Sequence, residues 1–239
     1  MRTLILLWLL IPMLGMSQKK DIVNATRYFP KVDKVAEFEK SLVAHAQKYH
    51  TGDFKWRVYE IQSGPDAGGY HITEGPMSWD QIDHRGNLGA EHTADWNKNV
   101  ALYLTDKFQS SYAVFQDSLS SVKLTDYADK INITHLYPKI GWGGKVDELL
   151  KNLKKTWMAD GESVAVYTAS SSGPAQYTIV TRYTQGLKER DANFRKPFKE
   201  RYEAANGQNA FTNYLDVVRE YLQNLWSELL FYRPDLSSK

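Results

Sequence analysis

The chain has 239 residues, 42% of them hydrophobic, enough for one large domain or two small ones. Its 24% charged content and formal net charge of +2 exclude an acidic disordered chain and a strongly basic nucleic-acid binder. There is no cysteine, which excludes disulfide staples, thiolate metal sites, a cysteine nucleophile and lipidation on cysteine.

Met1-Arg2-Thr3 precedes an apolar run, Leu4 to Met16, interrupted only by Pro12 and Gly15. A helix needs about 20 apolar residues to cross a bilayer, so this run is too short to span one. One positive residue, an apolar stretch and then small residues at Gly15 and Ser17 is the order of a secretory signal. Residues 1–17 are therefore expected to be removed near Ser17, leaving an exported chain, periplasmic or secreted. Loss of Arg2 takes the net charge to +1. No second apolar stretch approaches spanning length, so no stable membrane insertion is expected.

From Asp21 a β-rich segment runs to Pro30, which suits a strand leaving its sheet. Val35, Phe38, Leu42 and Ala46 recur at three- and four-residue steps and predict a helix. Phe54 to Val58 alternates apolar with polar, as a half-buried strand does. Ser63 to Gly69 is a turn cluster, and Tyr70 to Glu74 is the return strand. A longer helical region then carries Trp96, Val100, Tyr103 and Leu104, before a strand over Tyr112 to Gln116.

After a short joint at Lys123 to Ala128 the same series returns. A segment around Asn132 ends at Pro138, and Val146, Leu149, Leu150, Leu153 and Trp157 mark a helix. Strands over Val164 to Ala169 and Tyr177 to Arg182 flank a turn at Ser172-Gly173-Pro174. Phe211, Tyr214, Leu215, Val218, Leu222 and Leu225 predict the second helical region, and Leu229 to Tyr232 the last strand.

The residues themselves match between the halves. Asp21 to Val32 aligns with Asp129 to Ile140 at an offset of 108, with Asp, Asn, Thr, Pro and Lys identical. Val58-Tyr59, Ser63-Gly64-Pro65 and Tyr70-His71-Ile72 meet Val166-Tyr167, Ser172-Gly173-Pro174 and Tyr177-Thr178-Ile179 in the same order. A run of such matches in order predicts a duplication. The fold class expected is α+β: two β-α-β-β-α-β ferredoxin-like repeats, 18–124 and 125–239. Both helices of such a unit cover one sheet face and leave the other bare, so two copies can close into one barrel, sheet against sheet. The joint lacks the Pro/Gly/Ser character of a free linker, which favours one fused domain.

This order of elements, with Glu74, Ser78-Trp79-Asp80 and His84 after the third strand, resembles the dimeric α/β-barrel superfamily, which includes antibiotic-biosynthesis-monooxygenase and NIPSNAP-like proteins. The resemblance implies a pocket between sheet and helices. It implies for some members oxidation of electron-rich aromatics without a cofactor, and for others opening of haem with an Asn, a Trp and a His. The second half departs from the pattern, with Thr181 near the Glu74 position and Gly186-Leu187-Lys188 near Ser78-Trp79-Asp80. If one half keeps a site, it is the first.

Asn24 and His84 are the candidate catalytic residues: an Asn on a strand can orient an oxyanion, and a His can move a proton near neutral pH. His71, Glu74 and Trp79 are the candidate ligand-binding residues, Trp79 by stacking on a planar molecule. Alternation puts His71 and Glu74 on opposite faces of their strand. Trp79 equally suits a packing anchor, Asn24 a satisfied strand end beside its twin Asn132, and His84 a surface position. His84 and His92 lack the three- or four-residue spacing that places two ligands on one helix face, so no metal site is expected and the cofactor stays unknown. No phosphate-binding glycine loop, G-x-S-x-G elbow or H-E-x-x-H is present. The reading is an exported small-molecule-binding protein for an apolar or aromatic ligand, monomeric or homo-oligomeric. The alternatives are a cofactor-independent monooxygenase or isomerase acting on a planar aromatic compound, and a non-catalytic scaffold.

Overall fold

In the computed structural model, which describes residues 18–85, 88–170 and 173–239, eight strands form one closed antiparallel barrel. The expected signal segment, 1–17, lies outside the described residues. The first half contributes β1 (Ile22–Pro30), α1 (Val35–Tyr49), β2 (Trp56–Ile61), β3 (Tyr70–Met77), α2 (Trp79–Arg85), α3 (Ala90–Asp95) and β4 (Leu104–Phe115). The second contributes β5 (Lys130–Pro138), α4 (Gly143–Ala159), β6 (Ser163–Ser170), β7 (Tyr177–Arg182), α5 (Phe198–Asn206), α6 (Ala210–Tyr221) and β8 (Leu222–Tyr232).

Around the barrel the strands run β4-β1-β3-β2 and then β8-β5-β7-β6, the same order in each half. The registers correspond as well. Asn24 stands opposite Glu74 and Asn132 opposite Thr181, while Trp56 faces Glu74 and Val164 faces Thr181. Two short seams join the halves: β2 with β8 over Tyr59–Ile61, and β4 with β6 over Tyr112–Phe115.

Period-two alternation gives every strand two working faces. Inward residues meet across the barrel interior, where Tyr59, Ile61, Ile131, Ile133 and Leu230 form an apolar cluster. Outward residues pack under helices. Phe38, Leu42 and Ala46 recur every four residues along α1 and bury completely against Val58, Tyr70 and Ile72. In the second half Leu149, Leu150 and Leu153 of α4 do the same, and Tyr202, with Phe198, Phe211 and Tyr214 packed against the cluster, fills out the layer.

Two helical expectations give way to long strands. Leu222 and Leu225 fit a helical period, yet both stand in β8, because β8 pairs with β5 from Pro138↔Leu222 to Lys130↔Phe231. Leu104 likewise opens β4, which pairs with β1 as far as Pro30↔Leu104. A ladder of that length outweighs a local period. Near Trp96 the chain is also less regular than a single helix: α3 passes into a wider π turn over Trp96–Val100.

Gly75 sits where β1 and β3 slip register, between Ile22↔Met77 and Asn24↔Glu74. Its φ of +117° is open to glycine, and a Cβ there would lie 2.8 Å from the Ile22 carbonyl oxygen. Gly75→Ala is therefore expected to cost more than about 1 kcal/mol in urea unfolding. An unchanged midpoint would refute the account of this bulge.

Candidate functional site

The outer face of β1 and β3 presents Asn24, Thr26, Tyr28, Ile72 and Glu74 to a cavity of about 270 Å³ roofed by the end of α1 and by α3. Two local features bring histidines to it. His45 lies on the buried face of α1, 1% exposed. His50 follows the helix as its C-cap, with its backbone N–H bonded to Ala46 O and its φ and ψ already non-helical. That break turns its ring over Trp56 of β2, stacked at 3.6 Å between centroids. From the opposite side α3 supplies His92 and Asp95, three residues apart and so on one face.

The three rings converge through the same atom. His92 Nε2 lies 3.2 Å from His45 Nε2 and 3.4 Å from His50 Nε2. Nitrogens bound at about 2.0–2.1 Å to one tetrahedral ion stand about 3.3 Å apart; two of the separations match this, and all three ligand atoms lie within 4.8 Å of one another. Carboxylates hold two of the rings from behind: His45 Nδ1 is 2.7 Å from Asp95 Oδ2, and His50 Nδ1 is 3.0 Å from Glu74 Oε2. With Nδ1–H donated to a carboxylate, the Nε2 of His45 and of His50 each keeps its lone pair free to accept or to ligate. His92 has a single Nε2 proton to offer two such lone pairs. A cation satisfies all three nitrogens at once.

Glu74, 2% exposed, ties the assembly together. Its Oε2 accepts from Trp56 Nε1 at 2.8 Å and from Arg85 at 3.0 Å as well as from His50. Arg85 Nε lies 2.8 Å from Oε1. Burial pushes the Glu74 pKa up, but the His50 hydrogen bond and the Arg85 charge win and hold it below the usual carboxylate range. Asp95 is likewise held low by its bond to His45, and it also accepts from Asn99 at 2.8 Å. Burial lowers His45 and His50, and burial plus the two neighbouring imidazoles take His92 down to about 4. All three rings are thus neutral near pH 7, the form that ligates metal.

Of the residues singled out in the sequence, Asn24 and Glu74 line this cavity together, opposite each other in the β1–β3 ladder. His71 faces the barrel interior on the other side of β3, as alternation requires. His84 does not reach the cavity: its side chain is 78% exposed on α2 and its Nδ1 lies 2.8 Å from Asp80 O. Trp79 is 45% exposed and packs edge-on against Tyr112. His45, His50 and His92 escape a search by spacing because their ligand atoms come from two segments more than forty residues apart. The legible trace is His92-x-x-Asp95, a ligand with a carboxylate one turn on.

The closed barrel with helices on both outer faces is the dimeric α/β-barrel fold. No known protein-family profile and no curated protein sequence matches the chain. Solved structures do. An anthrone oxidase-like protein superposes with a TM-score of 0.59 at 12% identity, over 90% of this chain and 92% of its own. A provisionally assigned monooxygenase from Lactobacillus acidophilus gives 0.54 at 12% identity, over 92% and 97%. A heme-binding protein from Thermus thermophilus gives 0.50 at 9% identity, over 89% and 91%.

Proposed function

We propose that the chain is an exported, metal-dependent enzyme that oxidises a small planar aromatic compound with dioxygen at the cavity beneath α1 and α3. The observation that carries this is the convergence of the His45, His50 and His92 Nε2 atoms, with Asp95 and Glu74 behind two of them. Three imidazoles suit iron or copper, the redox-active ions that dioxygen chemistry requires, and would leave coordination positions open for water, dioxygen or substrate. Tyr28, Trp96 and Phe108 wall the cavity with rings that suit a flat molecule, and the amide of Asn24 can orient it. The anthrone oxidase-like and monooxygenase-type proteins of the same fold support oxidation over hydrolysis. In the balanced reaction a ring-flanked methylene becomes a carbonyl; one oxygen atom enters it, the other leaves as water, and the substrate supplies all four electrons.

Haem does not fit this site. About 270 Å³ is too little for a porphyrin, while it leaves room for a small flat molecule. The second half offers no counterpart: Thr181 stands at the Glu74 register and Val164 at that of Trp56, under an aromatic-packed helix layer. We read the two halves as a tandem duplication in which the first kept the chemistry, within one fused domain. Export near Ser17 belongs to the same proposal, and among the described residues no helix is long and apolar enough to cross a membrane.

Metal analysis of protein purified without chelators is expected to find about one iron or copper per chain, falling at least tenfold in His92→Ala. The metal-loaded protein should consume oxygen with anthrone as the probe. A wild-type chain that binds none of these ions after reconstitution would overturn the proposal, and metal binding without turnover of any planar aromatic would reduce it to a binding protein.

A further inference from the structure

On the far side of the sheet from the histidines, the barrel encloses a cavity of about 570 Å³. Most of its charge is internally settled. Arg27 is paired with Glu228 and Asp66, His135 with Glu228, and Asp66 also with Lys107. Two guanidiniums are not. Arg182, 4% exposed, donates to the Lys123 carbonyl at 3.2 Å and reaches the Tyr167 side chain. Arg57 donates to the Gly75 carbonyl at 3.0 Å. Both face the ring of Tyr127, their guanidinium carbons 3.9 and 6.0 Å from its centroid. Among the described residues neither is paired with a carboxylate. Burying an unpaired cation is costly, and a fold tolerates it where a ligand supplies the counter-charge.

We propose that the barrel interior is a second binding site, for a small carboxylate with an apolar body, its charge held by Arg57 and Arg182. The fork of a guanidinium matches a carboxylate with two parallel hydrogen bonds, which makes arginine the better fit here than a point charge would be. Tyr127 offers its ring to the ligand's body between the two arginines. The wall that carries Arg182 is otherwise apolar, with Ile131, Ile133 and Val180 beside it, and suits a hydrocarbon or aromatic remainder. A further sign of a missing partner is His71 of β3, on the side of the barrel that carries Arg57: its Nδ1 is buried without a hydrogen-bond partner. Burial and the Arg27 charge hold that ring near a pKa of about 3, so it adds no charge of its own and leaves the two arginines as the uncompensated cations. Among the described residues β4 pairs with β6 only over Tyr112–Phe115, which leaves the stretch of β4 beside the cavity, Phe108 to Ser111, without a partner strand on that side.

This inference stands apart from the metal site, because the two cavities lie on opposite faces of β1 and β3 and share only Phe108 and Ser110 of β4. Isothermal titration with benzoate and 1-naphthoate is expected to show one site per chain, and 1-naphthylmethanol, which lacks the charge, to bind at least tenfold more weakly. Arg182→Gln should weaken 1-naphthoate by tenfold or more. Arg57→Gln, at a half-buried position that tolerates substitution, should weaken it several-fold. His92→Ala should leave it unchanged, so a failed metal site and a failed anion site give different results. Equal binding of the acid and the alcohol, or carboxylate binding indifferent to both arginine variants, would overturn the proposal. So would no binding of either acid at millimolar concentration.

Discussion

Glu74→Gln is expected to leave the chain folded while weakening its affinity for a divalent ion by about 10–100-fold, the usual cost of removing a carboxylate behind a metal-ligating histidine. The amide oxygen can still accept from Trp56 Nε1. It cannot also accept from His50 Nδ1 and neutralise Arg85 as the carboxylate does. His50 is then free to adopt the other tautomer, and its Nε2 lone pair is lost to the ion. Glu74→Ala should be worse in a second way. It leaves Arg85, Trp56 Nε1 and His50 Nδ1 facing a void, and loss of one partner of a buried ion pair costs about 3–5 kcal/mol. Zinc titration of the glutamine variant and urea unfolding of the alanine variant separate the two effects. Wild-type affinity in Glu74→Gln would mean that Glu74 serves the fold and not the ligands.

Glu228→Ala should destabilise the chain by about 3 kcal/mol, because it removes one of the two carboxylates that hold Arg27, 6% exposed, deep in the barrel, and leaves His135 Nε2 without its acceptor. Glu228 of β8 accepts from Arg27 of β1 through both carboxylate oxygens, one contact at 3.0 Å, and from His135 Nε2 of β5 at 2.7 Å. Gln176 lies 2.6 Å from the other nitrogen of that ring, so His135 cannot turn away to find another partner. Burial raises the Glu228 pKa, but the hydrogen bonds from His135 and Arg27 outweigh it and the folded value lies below the ordinary one. A carboxyl depressed by folding stabilises above its unfolded pKa, about 4.3, and that stability drains away as pH falls through the lower folded value. Asp66 has the same sign, and burial is again outweighed, by Lys107 and Arg27. Denaturation followed from pH 6 down to pH 3 should therefore show a steeper loss in wild type than in Glu228→Gln. Parallel curves would place the acid sensitivity elsewhere.

Much of the barrel is legible because strands and helices write their faces into the chain. Phe38, Leu42 and Ala46 keep the helical period, and β3 alternates Tyr70, Ile72 and Glu74 against His71 and Thr73. The opposition of Asn24 and Glu74 was within reach too, since both lie on the outward face of strands that the sequence outlines. The long strands β4 and β8 were not. β4 opens on few apolar residues and β8 on Leu222 and Leu225 at a helical step, and their conformation comes from ladders with β1 and β5 that no local window contains.

The site divides along the same line. Periodicity determines that the first half carries a polar strand face under an amphipathic helix, and comparison of the halves puts Thr181 near the Glu74 position; the register of Val164 with that of Trp56 comes from the structure. Only the tertiary structure decides which histidines matter. His84 stands between Asp83 and Arg85 and looks chemically promising, yet its helix turns it to solvent. His45, His50 and His92 look unrelated in the chain, and meet because α1 ends where β2 begins and α3 packs across it. A ligand set drawn from one helix leaves a periodic trace, since its geometry is fixed by the backbone between its members. One drawn from two helices leaves none, since only packing sets the distance between them.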